Sequence, residues 1–193
     1  MDTDSKISTI WHLFFLLYHI CSLIFFINLL FTNDDPFLKE IQYFGPFYLS
    51  VWCSLLQIVY LVLSLASNNA NHLPRKMRKI KHKLESLKGY IFITFVLPLT
   101  TYVTAAFWTI FFLNKDFVPS ATFALMPSWI NHGYHTNGMI LVLMDLLFEN
   151  NSIPPVKSAL FGITLLAIVY YSIFFGIYIL FGKWLYIFFY EMT

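Results

Sequence analysis

Asn131, His132, His135 and Asn137 fall within one ten-residue stretch, "WINHGYHTNG" from Trp129 to Gly138. It lies in one of the most apolar parts of the chain. Polar groups in hydrocarbon are costly unless they find partners. Three chemistries suit such a cluster. A histidine beside a hydroxyl or thiol can act as the base of a nucleophilic catalyst. Two imidazoles at i, i+3 can begin a metal site. A histidine face can also line a proton or ion path. The plainer readings are structural. Asn131 and Thr136 can bond across helices or back to their own backbone, and His132 can be a satisfied interfacial histidine.

Zinc needs three or four ligands. No other apolar run offers an obvious His, Cys or carboxylate cluster at the same depth, so neither a metal nor any other cofactor is expected. For the nucleophile, depth is the criterion. His135 stands eight residues past Pro127, about 12 Å along a helix. Ser50 stands seven residues past Tyr43, about 10 Å along its own helix. Both helices start from the same side, so Ser50 and His135 are level. Cys53 and Ser54 lie a turn deeper, and Thr100, Thr101 and Thr104 are within reach from a third segment. Depth admits Ser50 without singling it out.

The cluster needs a helix to orient it. With Asn131 at zero and about 100° per residue, His135 falls near 40°, Gly138 near 340°, Val142 near 20° and Asp145 near 320°. These share one face, and His132 sits on its shoulder near 100°. Ionisable groups inside spans face the bundle interior or a wet cavity, so this face points inward. Asp145 lies about 15 Å beyond His135, near the far edge of the membrane.

The chain has 193 residues, 59% hydrophobic and 11% charged, with a mean hydropathy of +0.68. Soluble domains carry about 25% charged residues. We therefore expect an all-α membrane protein, a bundle of about five transmembrane helices with a short aromatic C-terminal tail. The expected spans are about 7–31, 43–67, 87–113, 123–148 and 158–180, in a single domain covering 1–193. Pro36, Pro74, Pro119, Pro154 and Pro155 punctuate the connections. Pro98 is expected to kink the third span, and Pro127 stands at the start of the fourth. Gly133 and Gly138 permit close backbone approach. Cys21 and Cys53 lie in apolar runs, where a thiol acts as a small hydrophobe.

Seven of the 12 Lys and Arg fall between Arg75 and Lys88. Positive-inside reasoning makes the N-terminus and the 68–88 loop cytoplasmic. The block is a solvated loop, not a nucleic-acid surface. The first apolar run lacks a small-residue cleavage site and reads as a retained signal anchor. The sequon at Asn150 would then face the cytoplasm and stay unglycosylated. The membrane is endomembrane or plasma membrane.

"WINHGYHT" resembles the signature of the androgen-induced and androgen-dependent integral membrane hydrolases, multispan proteins that cleave fatty acid esters of hydroxy fatty acids. Pro119, Pro127 and Trp129 match the approach to the histidine helix, and Asp145 stands where that family carries an acidic residue. "LPLTTYVTAAFW" (97–108), "FYLSVWCSLLQ" (47–57) and "GKWLY" (182–186) resemble further segments. The resemblance implies a threonine-type nucleophile at Ser50, where the family has threonine, and a general base and acid at His135. Asn131, four residues before His135 on the same helix face, and His132 on its shoulder are the supporting residues expected to orient the imidazole or donate to the oxyanion. Serine keeps the hydroxyl and loses a methyl. Members of that family continue into a further hydrophobic segment beyond the point matching Thr193. The implied partner is a lipid ester from the bilayer, and no nucleic acid. A catalytically degenerate lipid binder or scaffold of the same fold is the main rival, and a transporter or channel is the other.

Overall fold

In the computed structural model, residues 3–70, 78–118 and 124–191 are described. Arg75 and Lys76 of the basic block, the proline at 119 and the start of the expected fourth span lie outside them. The described elements are helical. They are α1 (Thr3–Thr32), α2 (Pro36–Phe44), α3 (Leu49–Ala70), α4 (Arg78–Ile91), a π-helical segment (Phe92–Val96), α5 (Leu97–Leu113), α6 (Ser128–His135), α7 (Asn137–Phe148) and α8 (Val156–Phe181). Short 3₁₀ turns cover Gly45–Phe47, Lys115–Phe117 and Ile187–Glu191.

Four helical stretches are long and apolar enough to cross a membrane: Lys6–Thr32, Leu49–Asn69, Lys79–Leu113 and Val156–Phe181. Large apolar side chains face outward from them, such as Phe112 and Ile179, each more than three-quarters exposed. Such surfaces belong in lipid. The chain is a multi-pass membrane protein. The stretch expected as a fourth span is divided, with α6 and the apolar α7 meeting at Thr136.

Each long helix buries one face. On α1 that face is Ser8, Trp11, His12, Phe15, His19, Ser22, Phe26 and Leu30, which is helical spacing. On α3 it is Cys53, Gln57, Tyr60, Leu61 and Ser64. Trp11 and Phe15 pack with Tyr60, Leu61, Phe92, Val96, Leu141 and Val142 in the main core. In lipid no hydrophobic effect draws helices together, so association rests on close packing and interhelical hydrogen bonds. Gly138 shows the closeness required: a Cβ there would lie 2.2 Å from the Gln57 side-chain nitrogen. That nitrogen donates to Thr100 Oγ1 at 2.8 Å.

Helix ends are tied by specific groups. Asp35 caps α2, its carboxylate accepting from Phe37 N–H at 2.8 Å, with Pro36 in the first turn. Gly182 ends α8 in the left-handed region at φ 65°, a conformation that favours glycine. Pro98 lacks the N–H that a continuous helix would use, and the π-helical turn immediately precedes it.

One end of the bundle gathers the start of α1, the end of α3, α4 and the 149–153 connection. Lys88 Nζ lies 2.7 Å from Glu149 Oε2, Asn68 donates to Ser8 Oγ at 3.2 Å, and Ser8 donates to Glu149. Ser152 Oγ donates to the Glu85 carbonyl at 3.0 Å. Burial pushes the Glu149 carboxyl up, and Lys88, with Ser8 and His12, outweighs it, so Glu149 sits below the ordinary carboxylate value. A depressed carboxylate contributes stability above its unfolded value of about 4.3 and loses it as pH falls further through its folded value. Thermal unfolding in detergent should therefore show Glu149→Gln less stable than wild type at neutral pH. The gap should close below about pH 4; a gap that does not change with pH would refute the assignment.

At the other end, Lys183 Nζ lies 3.0 Å from Glu40 Oε1. Leu49 N–H donates to Tyr186 Oη at 3.2 Å. The aromatic tail folds back here: Leu185 is buried against Tyr170, Phe174 and Ile177, and Trp184 stacks on Tyr178 at 3.8 Å.

Candidate active site

The folded-back tail closes one end of a cavity of about 520 Å³. That volume is in the range of small-molecule sites. Its walls come from α3, α5, α6, α8 and the tail, and are mostly Phe, Tyr, Leu, Ile and Val. Three of the site residues expected from sequence line it together: Ser50, Asn131 and His135.

Ser50 is the second residue of α3. First-turn N–H groups have no partner within a helix. Among the described residues its hydroxyl has no hydrogen-bond partner, and it is not bonded to His135. The other hydroxyl and thiol candidates are elsewhere. Ser54 Oγ lies 3.3 Å from His19 Nδ1. Cys53 Sγ lies 3.3 Å from Thr100 Oγ1. Thr101 donates to the Leu97 carbonyl at 2.8 Å. Ser50 alone of the six candidates borders the cavity.

His135 is the last residue of α6. Its ring lies flat on Phe107, with centroids 3.7 Å apart and planes 3° from parallel. Its Nδ1 is enclosed and without a partner among the described residues. The helix breaks at the next position, Thr136, at φ −134° and ψ −51°. There Met139 N–H bonds the Thr136 carbonyl at 2.9 Å, so the His135 carbonyl loses the regular helical donor. Trp108 replaces it: the indole N–H lies 3.2 Å from both the His135 carbonyl and Thr136 Oγ1. Backbone breaks at membrane depth persist only where such partners exist or a cavity is lined. Trp108→Phe should leave that carbonyl unsatisfied and cost about 1–3 kcal/mol. Thermal unfolding checks it, and an unchanged midpoint would remove Trp108 from this role.

His132 takes a different position. It is exposed, stacks near Trp108 and has Nδ1 3.0 Å from Thr136 Oγ1. It does not line the cavity. Asp145 is fully buried at the opposite end. It accepts from Trp11 Nε1 at 3.0 Å, and His12 Nε2 lies 2.9 Å from the same oxygen. His12 and His19 are not among the residues expected from sequence. Ser8, His12, His19 and Ser22 recur on one face of α1, and that polar stripe was the available signal. Among the described residues no three His, Cys, Asp or Glu side chains converge in a way that holds a metal.

A family model described as "FAR-17a/AIG1-like protein" matches residues 12–193. The chain belongs to the FAR-17a/AIG1-like family. It is 33% identical over 107 residues to the human androgen-dependent TFPI-regulating protein, covering 53% of this chain and 45% of that protein. It is 27% identical over 130 residues to the protein of that name from Mesocricetus auratus, covering 66% and 55%. To the human androgen-induced gene 1 protein it is 27% identical over 110 residues, covering 56% and 46%. The chain thus spans about half the length of the curated FAR-17a/AIG1-like relatives it matches. No solved structure matches it.

Proposed function

We propose that this FAR-17a/AIG1-like protein is an intramembrane lipid-ester hydrolase that cleaves fatty acid esters of hydroxy fatty acids. The observation that carries the reading is the common cavity: Ser50 and His135 border one apolar space, while the competing hydroxyls do not.

His135 takes the proton from Ser50 Oγ as that oxygen attacks the ester carbonyl. The tetrahedral intermediate collapses with cleavage of the ester C–O bond. His135 returns the proton to the departing oxygen, which leaves as the hydroxyl of the hydroxy fatty acid. Water then attacks the acyl-Ser50 ester, His135 accepts its proton, and the fatty acid leaves as Ser50 regains its hydrogen. Hydrogen bonds between catalytic partners often tighten only around substrate, which accommodates the unbonded Ser50 and His135. The developing oxyanion needs donors. Asn131, one turn before His135, and the Ser50 backbone N–H are the candidates for it, since the Leu49, Val51 and Trp52 N–H groups are engaged by Tyr186 and Tyr48. His132, bonded to Thr136, contributes by fixing the turn that carries His135. In the accompanying orientation, the Lys88–Glu149 end is cytoplasmic and the Glu40–Lys183 end lies across the membrane.

A fluorophosphonate probe tests the reading in purified protein. Covalent labelling at Ser50, absent from Ser50→Ala, supports the hydrolase. Absence of labelling from properly folded protein that retains bound lipid returns the chain to the binder reading.

A further inference from the structure

The cavity has one wall unlike the others. Near Gly162, α8 approaches the π-helical segment closely: a Cβ on that glycine would lie 2.9 Å from Thr94 Cγ2 and 2.5 Å from Tyr90 Oη. Farther along, Pro98, Tyr102 and Ala106 of α5 and Ile163, Ala167 and Tyr171 of α8 line the cavity instead. Each series runs at i, i+4, i+8, so each stays on one helix face. Tyr102 is 58% exposed and Tyr171 52% exposed, yet both belong to the cavity wall. A side chain shared by the inner wall and the outer surface stands at a mouth. Ala106 and Ala167 are small, which leaves room between the two helices.

What lies outside this mouth is hydrocarbon. The neighbouring outward residues of α8, Leu165 and Ile168, are apolar and exposed. No described residue lining the cavity is Lys, Arg, Asp or Glu. From Phe107, on which His135 stacks, to Pro98 is nine residues, or about 13 Å of wall along the helix.

We propose that the gap between α5 and α8 is a lateral doorway to the bilayer, framed by Tyr102 and Tyr171. It admits the hydrocarbon chain of a membrane lipid ester, whose charged end stays outside. The ester identity rests on the hydrolase reading; the doorway rests on the wall geometry. An alkyl chain passing between the helices lies along α5 and brings its ester to the level of Ser50 and His135.

The probe is a long-chain alkyl ester with a mid-chain diazirine, in phosphatidylcholine vesicles holding the full chain. Photolysis should give adducts on the inner wall, including the peptide bearing Phe107. Ala167→Trp fills the gap and should reduce inner adducts about tenfold, while adducts on the outward face persist. Ala106→Trp should do the same from the facing helix. Tyr171→Ala widens the mouth and should instead increase adducts from a branched-chain probe, an opposite response that misfolding does not produce. Inner adducts indifferent to both tryptophan substitutions, with Ser50 still labelled by a small fluorophosphonate, would overturn the doorway and leave the hydrolase standing. Inner adducts that respond as expected, in a protein whose Ser50 never labels, would keep the doorway and overturn the hydrolase.

Discussion

Replacing His135 with alanine is expected to lower lipid-ester hydrolysis about 10³-fold, the middle of the range for removing a positioned general base. That loss corresponds to about 4 kcal/mol of transition-state stabilisation. Without the imidazole that shares its cavity, the Ser50 hydroxyl has no histidine to take its proton, since no other described histidine lines that cavity. His12 and His19 are engaged elsewhere, with Asp145 and Ser54. Ser50→Ala should cost about as much, and the double variant little more, because nucleophile and base act as one unit. Ser50→Thr should stay within about 200-fold of wild type, since a one-methyl change at such a site is worth roughly 1–3 kcal/mol at most. Steady-state kcat/KM on a fatty acid ester of a hydroxy fatty acid, measured in vesicles, decides the matter. Full activity in either alanine variant sinks the dyad.

The largest effect on stability is expected at Asp145. Its carboxylate is fully buried and takes two donors from α1, the Trp11 indole and His12. Removing one partner of a buried pair leaves the other uncompensated, at a cost of about 3–5 kcal/mol. Asp145→Ala should therefore lower the thermal midpoint in detergent far more than Glu149→Gln does at neutral pH. An isosteric apolar exchange of both partners, His12→Phe with Asp145→Leu, should recover part of the loss, because of the three bonded groups only the Trp11 indole N–H is then left without a partner. A double-mutant cycle measures the coupling directly. If Asp145→Ala and the double variant unfold together at the wild-type midpoint, the pair is not what fastens α7 to α1.

One substitution acts at the break in this divided helix and the other near its far end. α7 is anchored through Asp145 at the Lys88–Glu149 end. α6 ends in His135, whose carbonyl is held by Trp108 from α5. The His135 imidazole is thus fixed by its backbone and by Phe107 beneath its ring, rather than by a hydrogen bond to a further side chain among the described residues. Rigid support of this kind is what a site needs when binding alone cannot set its geometry.

The sequence by itself determined the membrane class, because so few charges cannot cover a water-facing surface. It also determined the inward face of the histidine segment. Asn131, Gly138, Val142 and Asp145 are all buried, and His135 faces a cavity, since helical periodicity reports angle directly. Counting residues from Tyr43 assumes one continuous helix to Ser50, but α2 ends at Phe44 and α3 begins only at Leu49; Ser50 stands in the first turn of its helix, and what it shares with His135 is the wall of one cavity. The tertiary structure decided what angle and depth cannot. It excluded Ser54, Cys53 and Thr100 from the cavity by giving them other partners. It matched His12 to Asp145, a pairing between residues 133 positions apart. It divided the helix at Thr136, a break tolerated because Trp108 arrives from another helix to satisfy the freed carbonyl. It also laid the aromatic tail over the cavity. Each of these depends on which neighbour a face meets, and that is set by side-chain packing between helices distant in sequence.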